Sequence, residues 1–185
     1  MSGGAIRRLE AKRFREGRWR NGLGTSWEIA EEPSARLACG FRWRFATALI
    51  SQNVPFSTYP EVDRIFTLIE GNGLTLDIGG RTIDVASPFV PCRFPGDTPT
   101  TCHLTDGPCR ALNLFLARGQ ADADVRLLHD RGKLSAAGNI LGFALSGRPR
   151  LGELQLETGD AAIGFGLQGY DSQGGVLYAA LLTGP

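Results

Sequence analysis

Apolar and polar positions alternate with a period of two over much of the chain. Leu74, Leu76 and Ile78 alternate with Thr75 and Asp77, and beyond Gly79-Gly80 the residues Ile83 and Val85 alternate with Thr82 and Asp84. Two such runs around a two-residue glycine turn predict a β-hairpin with one face of each strand buried. Asn72-Gly73 marks a turn just upstream, so another strand is expected over about 65–69. Val62, Ile65, Phe66 and Ile69 also fit helical spacing, but the short run and its β-branched residues decide for a strand. Phe41, Trp43 and Phe45 alternate with Arg42 and Arg44, which predicts a strand with one aromatic face. Leu154 and Leu156 alternate with Glu153, Gln155 and Glu157, and Val176 to Leu182 is an unbroken apolar run suited to a strand covered on both faces. The best window for a helix, Gln120 to Leu128, reads equally well as a solvated loop. Many short strands with frequent turns predict a sandwich or barrel.

Composition agrees with this reading. The 25 glycines and 10 prolines in 185 residues punctuate short strands rather than long helices, and 42% hydrophobic residues exclude disorder. A formal charge of +1 argues against general attraction to nucleic acid or acidic membranes. Met1 to Ala11 lacks the apolar segment of a signal peptide, and no run approaches the roughly 18 apolar residues of a membrane span. Cys39, Cys92, Cys102 and Cys109 form no C-x-x-C pair, so they are expected to be reduced and mostly buried in a cytoplasmic protein.

Candidate chemistry is sparse. Only His103 and His129 occur, with no His-x-His pair, so neither a metal site nor a Ser-His or Cys-His nucleophile is expected. No cofactor motif appears. The basic stretch Arg7 to Arg20 is interrupted by Glu10 and Glu16 and reads as a charged strand edge. Two polar clusters remain. In Trp19 to Ile29, two glycines bracket a turn, and Asn21, Thr25 and Glu28 offer amide, hydroxyl and carboxylate groups; the bland reading is a turn whose side chains satisfy local backbone groups. In Pro55 to Arg64, Phe56, Ser57 and Arg64 could grip a small anion, or Arg64 could pair with Asp63, Glu61 or Glu28 and merely tie a loop down.

Taken in order, these clusters resemble the HutD/Ves family. The matching pieces are W-x-N-G-x-G-T-x-x-E-I (Trp19 to Ile29), F-x-W-R (Phe41 to Arg44), P-F-S-x-x-P-x-V-D-R (Pro55 to Arg64) and L-x-E-G-x-G-L-x-L (Leu68 to Leu76). F-P-G-D (Phe94 to Asp97) and D-G-P-x-x-x-L-N (Asp106 to Asn113) follow. Leu23 departs from the family's third turn glycine, and Ala111 replaces a common acidic residue ahead of Leu112-Asn113.

The resemblance implies an all-β, cupin-like double-stranded β-helix in bicupin form. One barrel would run over roughly 40–119 and the second over roughly 120–185 together with the N-terminal strands. It also implies a bacterial protein associated with histidine utilisation, or a stress-linked relative. Such a protein would bind a small acid, with N-formylglutamate and urocanate as candidate ligands, and would moderate the pathway without catalysing a step. Its ligand site would combine Asn21, Thr25, Glu28, Phe56, Ser57 and Arg64 with Trp43 or Arg44, which point to opposite faces of one strand. A monomer and a homodimer are both open. The alternatives are a metal-free cupin isomerase or epimerase with Glu28 or Asp63 as base, and a scaffold that binds no ligand.

Overall fold

A computed structural model describes residues 5–184. In chain order, β1 (Ile6–Leu9) is followed by one 3-10 turn (Ala11–Arg13), then β2 (Arg15–Arg18), β3 (Thr25–Pro33), β4 (Phe41–Ile50), β5 (Val54–Pro55) and β6 (Val62–Glu70). Next come β7 (Leu74–Ile78), β8 (Arg81–Val85), β9 (Pro91–Pro95), β10 (Thr100–Leu104) and β11 (Cys109–Ala117). The last third contains β12 (Asp122–Leu128), β13 (Arg131–Ser146), β14 (Arg150–Leu151), β15 (Leu154–Gln155), β16 (Ala161–Asp171) and β17 (Val176–Thr183). Apart from the 3-10 turn the described elements are all β-strands, and the chain divides into two compact units.

The unit spanning Arg15–Gln120 has a six-stranded sheet, ordered β2-β3-β4-β11-β6-β9, and a four-stranded sheet, β5-β10-β7-β8. The predicted hairpin is β7 and β8, paired from Leu74↔Val85 to Ile78↔Arg81 around Gly79-Gly80. Its inward positions Leu74 and Leu76 pack with Ile50, Phe66, Leu68, Val54, Cys102 and Ala111 in one core contributed by both sheets. Burying each large apolar side chain of this set stabilises the unit by roughly 1.5–3 kcal/mol. A smaller cluster of Phe41, Tyr59, Val62 and Phe115 sits apart from it.

The second unit takes β12 to β17, with β1 laid along β16 from Ile6↔Gly164 to Leu9↔Ala161. Its core includes Leu134, Ile140, Leu151, Leu156 and Leu177. The apolar run Val176 to Leu182 is β17, between β12 and β13.

The structure corrects three expectations. Of the N-terminal strands, β2 and β3 pair into the sheet of β4, so the first unit begins at Arg15 rather than near residue 40, and only β1 joins the second. The 120–128 window is neither helix nor loop: β12 pairs with β17 from Asp122↔Thr183 to Leu128↔Leu177. Asp122, Asp124 and Arg126 are exposed while Ala123, Val125 and Leu127 turn inward, a period of two weakened by one small and three charged residues. The alternation around Leu154 and Leu156 yields only the two-residue β15.

Candidate functional site

A cavity of about 410 Å³ lies within the Arg15–Gln120 unit, lined from the inner face of the six-stranded sheet and from the segments around Trp19 and Phe56. Strand register explains its lining. Across one row, Arg44 of β4 faces Phe115 of β11, Phe115 faces Arg64 of β6, and Arg64 faces Phe94 of β9. Adjacent strands are about 4.8 Å apart, so the two arginines stand roughly 10 Å apart at their backbones on one face of the sheet. In the next row inward, Ala46 and Phe66 flank Asn113.

Arg64 is the unusual group. It is 6% exposed, and its guanidinium carbon lies 4.6 Å from the ring centre of Phe56, 4.9 Å from Phe115 and 5.3 Å from Phe94. Ring faces attract a cation without neutralising it. Its hydrogen bond goes to a neutral group, with Nη2 donating to Asn113 Oδ1 at 2.8 Å, and its buried Nε has no acceptor among the described residues. Burial lowers the Arg64 pKa to about 10. The side chain therefore still carries its charge at neutral pH, at a desolvation penalty that no carboxylate among the described residues offsets by pairing with it.

The acids stand elsewhere. Asp63, on the opposite face of β6, pairs with Arg93 and Arg118 at 3.0 Å each. Glu28 lines the cavity, but its oxygens meet Arg15 at 2.6 Å and Arg44 at 3.4 Å. Arg44 also bonds Glu31 at 2.9 Å and stacks 4.4 Å from the ring centre of Phe41. A bulge between Glu28 and Ala30 turns Glu28 and Glu31 to the same face of β3, which lets both reach Arg44. At this rim two arginines and two glutamates balance, whereas Arg64 is unbalanced.

Of the residues expected at the site, Glu28, Arg44, Phe56, Ser57 and Arg64 line the cavity. Asn21, Thr25 and Trp43 do not. The Asn21 Nδ2 donates to the Pro55 carbonyl at 2.8 Å, its backbone N–H reaches Ser57 Oγ at 3.3 Å, and its Oδ1 accepts from Leu23 N–H at 3.1 Å. The Thr25 carbonyl accepts from Trp19 Nε1 at 3.1 Å. Only the Asn21–Leu23 bond is local to the turn; the other Asn21 bonds tie it to the Pro55–Ser57 segment, and Thr25 contributes its backbone carbonyl. What the turn delivers is Trp19, which meets Phe56 edge-on with ring centres 5.8 Å apart. Gly24 makes this seat: a Cβ there would lie 2.5 Å from the indole. Trp43 is buried on the face of β4 opposite Arg44 and donates to Glu32 at 2.7 Å.

Sequence reasoning did not select Asn113, Tyr59 or Phe94. Asn113 and Phe94 fall inside quoted motifs, and that was the available signal. In F-P-G-D, Phe94 stacks on Arg64, while Gly96 permits an approach in which an added Cβ would sit 2.8 Å from the Val62 carbonyl. Asp97 of that motif pairs with Arg118 at 3.1 Å, which lowers its pKa.

Both histidines are exposed, and among the described residues no three His, Cys, Asp or Glu side chains converge as metal ligands would. The four cysteines are free, and burial pushes the Cys102 thiol up to about 12, far from the reactive thiolate range. No helix among the described residues is long and apolar enough to cross a membrane.

Fold and cavity define a cupin-type all-β protein with a buried, unneutralised arginine. The HutD family model matches residues 11–174, and the chain belongs to that family. It is 32% identical over 146 residues to protein Ves of Cronobacter sakazakii, covering 78% of this chain and 79% of that one. It is also 32% identical over 175 residues to an uncharacterised protein from the hutC 3′ region of Pseudomonas putida, covering 87% and 92% of the two chains. The structure of HutD from Pseudomonas fluorescens, obtained in a formate condition, superposes with a TM-score of 0.88 at 25% identity, covering 98% of this chain and all of that one.

Proposed function

We propose that this protein binds a small carboxylate in the cavity of the Arg15–Gln120 unit and acts as a non-catalytic, ligand-responsive regulator connected with histidine utilisation. The observation that carries the reading is Arg64: a buried guanidinium at a cavity wall, caged by three aromatic rings, with one neutral hydrogen-bond partner and no paired carboxylate among the described residues. A carboxylate arriving there meets a desolvated cation, where Coulomb attraction and charge-assisted hydrogen bonds are stronger than in water. The pathway connection is supported by the hutC-region relative and the HutD likeness. N-formylglutamate and urocanate are the candidate ligands.

Calorimetry with formate, N-formylglutamate, urocanate and glutamate, on wild type and Arg64→Ala, tests this. A ligand at a hundred times its dissociation constant stabilises the fold by about 2.7 kcal/mol, visible as a melting shift that Arg64→Ala abolishes. Absence of binding by every acid, or equal binding by the variant, refutes the site. The enzymatic alternative keeps Glu28, since it lines the cavity, but loses Asp63, which two arginines hold on the other face. Turnover of a panel acid that Glu28→Gln abolishes would replace the regulator with an enzyme.

A further inference from the structure

Resting on that reading, we infer that Asn113 is the second ligand contact and the residue that keeps the anion site open. A guanidinium can only donate hydrogen bonds, so the Asn113 atom meeting Arg64 Nη2 at 2.8 Å must be the carboxamide oxygen. The Nδ2 amino group is thereby turned away from Arg64. Asn113 is 2% exposed and lines the cavity, yet no described residue accepts either Nδ2 hydrogen. Arg64 and Asn113 together present mainly donors, since the one acceptor atom between them, the Asn113 oxygen, already takes a hydrogen bond from Arg64. That array matches a group carrying only acceptor oxygens: a carboxylate with one oxygen on the guanidinium and the other on the Asn113 amide. It favours a carboxylate over a neutral amide or alcohol of the same shape, which brings no charge to the buried cation and fewer acceptor lone pairs to these donors.

The neutrality of position 113 matters as much as its donors. A carboxylate there would neutralise Arg64 from within the fold and occupy the place of the ligand. The amide instead orients the guanidinium and leaves its charge unspent.

The test is a titration with sodium formate, and with formamide as the neutral control, of wild type, Asn113→Asp and Asn113→Leu. Asn113→Asp should lose formate affinity at least about 100-fold while melting at or above the wild-type temperature, because it builds the internal ion pair. Asn113→Leu, which removes the donors without adding charge, should weaken formate about tenfold or more. In the unmutated protein, the Asn113 side-chain amide proton resonances should move as formate saturates, a readout independent of any variant's folding. Formamide should bind none of the three. If wild type fails to bind any carboxylate, the ligand-binding reading itself falls. If wild type binds formate through Arg64 but Asn113→Asp binds it equally, or the Asn113 amide signals stay still, only the role given to Asn113 falls.

Discussion

Each of the two units buries one charged side chain among the described residues, Arg64 in one and Asp160 in the other, and they are treated in opposite ways. Asp160 is bonded on both oxygens: it accepts from Arg8 through both Nε and Nη2, from the backbone N–H of Ala11 at 3.0 Å and from that of Glu157 at 3.1 Å. Burial by itself would raise its pKa, but the Ala11 amide, Arg8 and the Glu157 amide outweigh this and hold it below the usual value. Arg64 has one neutral partner, a cavity beside it and a lowered pKa. A buried charge whose two oxygens are both bonded within the fold closes a structure, whereas one left with unused donors at a cavity is available to a ligand. The difference extends to the two Gly-Asp turns, since Asp97 makes an exposed ion pair and Asp160 ties the N-terminal segment to its unit.

The largest effect expected from this contrast is on Asp160. Asp160→Ala removes an acceptor from two backbone amides and an arginine and should destabilise the protein by roughly 3–5 kcal/mol, leaving carboxylate affinity unchanged. The folded pKa lies below the unfolded one, so this contribution is present above about pH 4 and fades as the pH falls through the folded value. Denaturant titrations between pH 2 and 7 should show a flatter acid limb for Asp160→Asn. An unchanged limb breaks the comparison.

Arg64→Met should act in the other direction. Replacing a desolvated cation by an apolar chain of similar length is expected to leave the ligand-free stability unchanged or raise it by up to about 2 kcal/mol, while removing the ligand-induced melting shift. Destabilisation comparable to that of Asp160→Ala would make Arg64 a structural residue like its counterpart. Smaller still is Gly24→Ala, expected to cost about 1–2 kcal/mol by forcing Trp19 from its seat against Phe56. Near-ultraviolet circular dichroism should register the displaced indole. Smallest is Glu28→Gln, which breaks pairs with an exposed and a half-buried arginine and should change stability by less than about 1 kcal/mol, with carboxylate affinity within about threefold of wild type. Loss of affinity equal to that of Arg64→Ala would move the anion contact to the rim.

Strands with clean alternation were legible from the chain alone: the hairpin at 74–85, the aromatic strand at 41–45 and the apolar run ending at residue 182. Each works because burial on one face imposes a period of two on its own residues. β12 escaped because its inward positions include an alanine and its outward ones are charged. The motif turn at Trp19 to Thr25 was visible but its purpose was not, since Asn21 is spent on the backbone of Leu23 and of distant Pro55 and the aromatic Trp19 carries the consequence.

Sequence by itself therefore determined the fold class, the family likeness and the candidacy of Arg64, all of which depend on residue type and short-range order. Tertiary structure alone decided that Arg64 meets Asn113, 49 positions away, rather than Asp63 beside it. The reason is the pleat: neighbours along a strand point to opposite faces, so Asp63 could never share a pocket with Arg64. A residue brought in by cross-strand register could, and whether position 113 offered it a charge or an amide settled whether that cation stayed open.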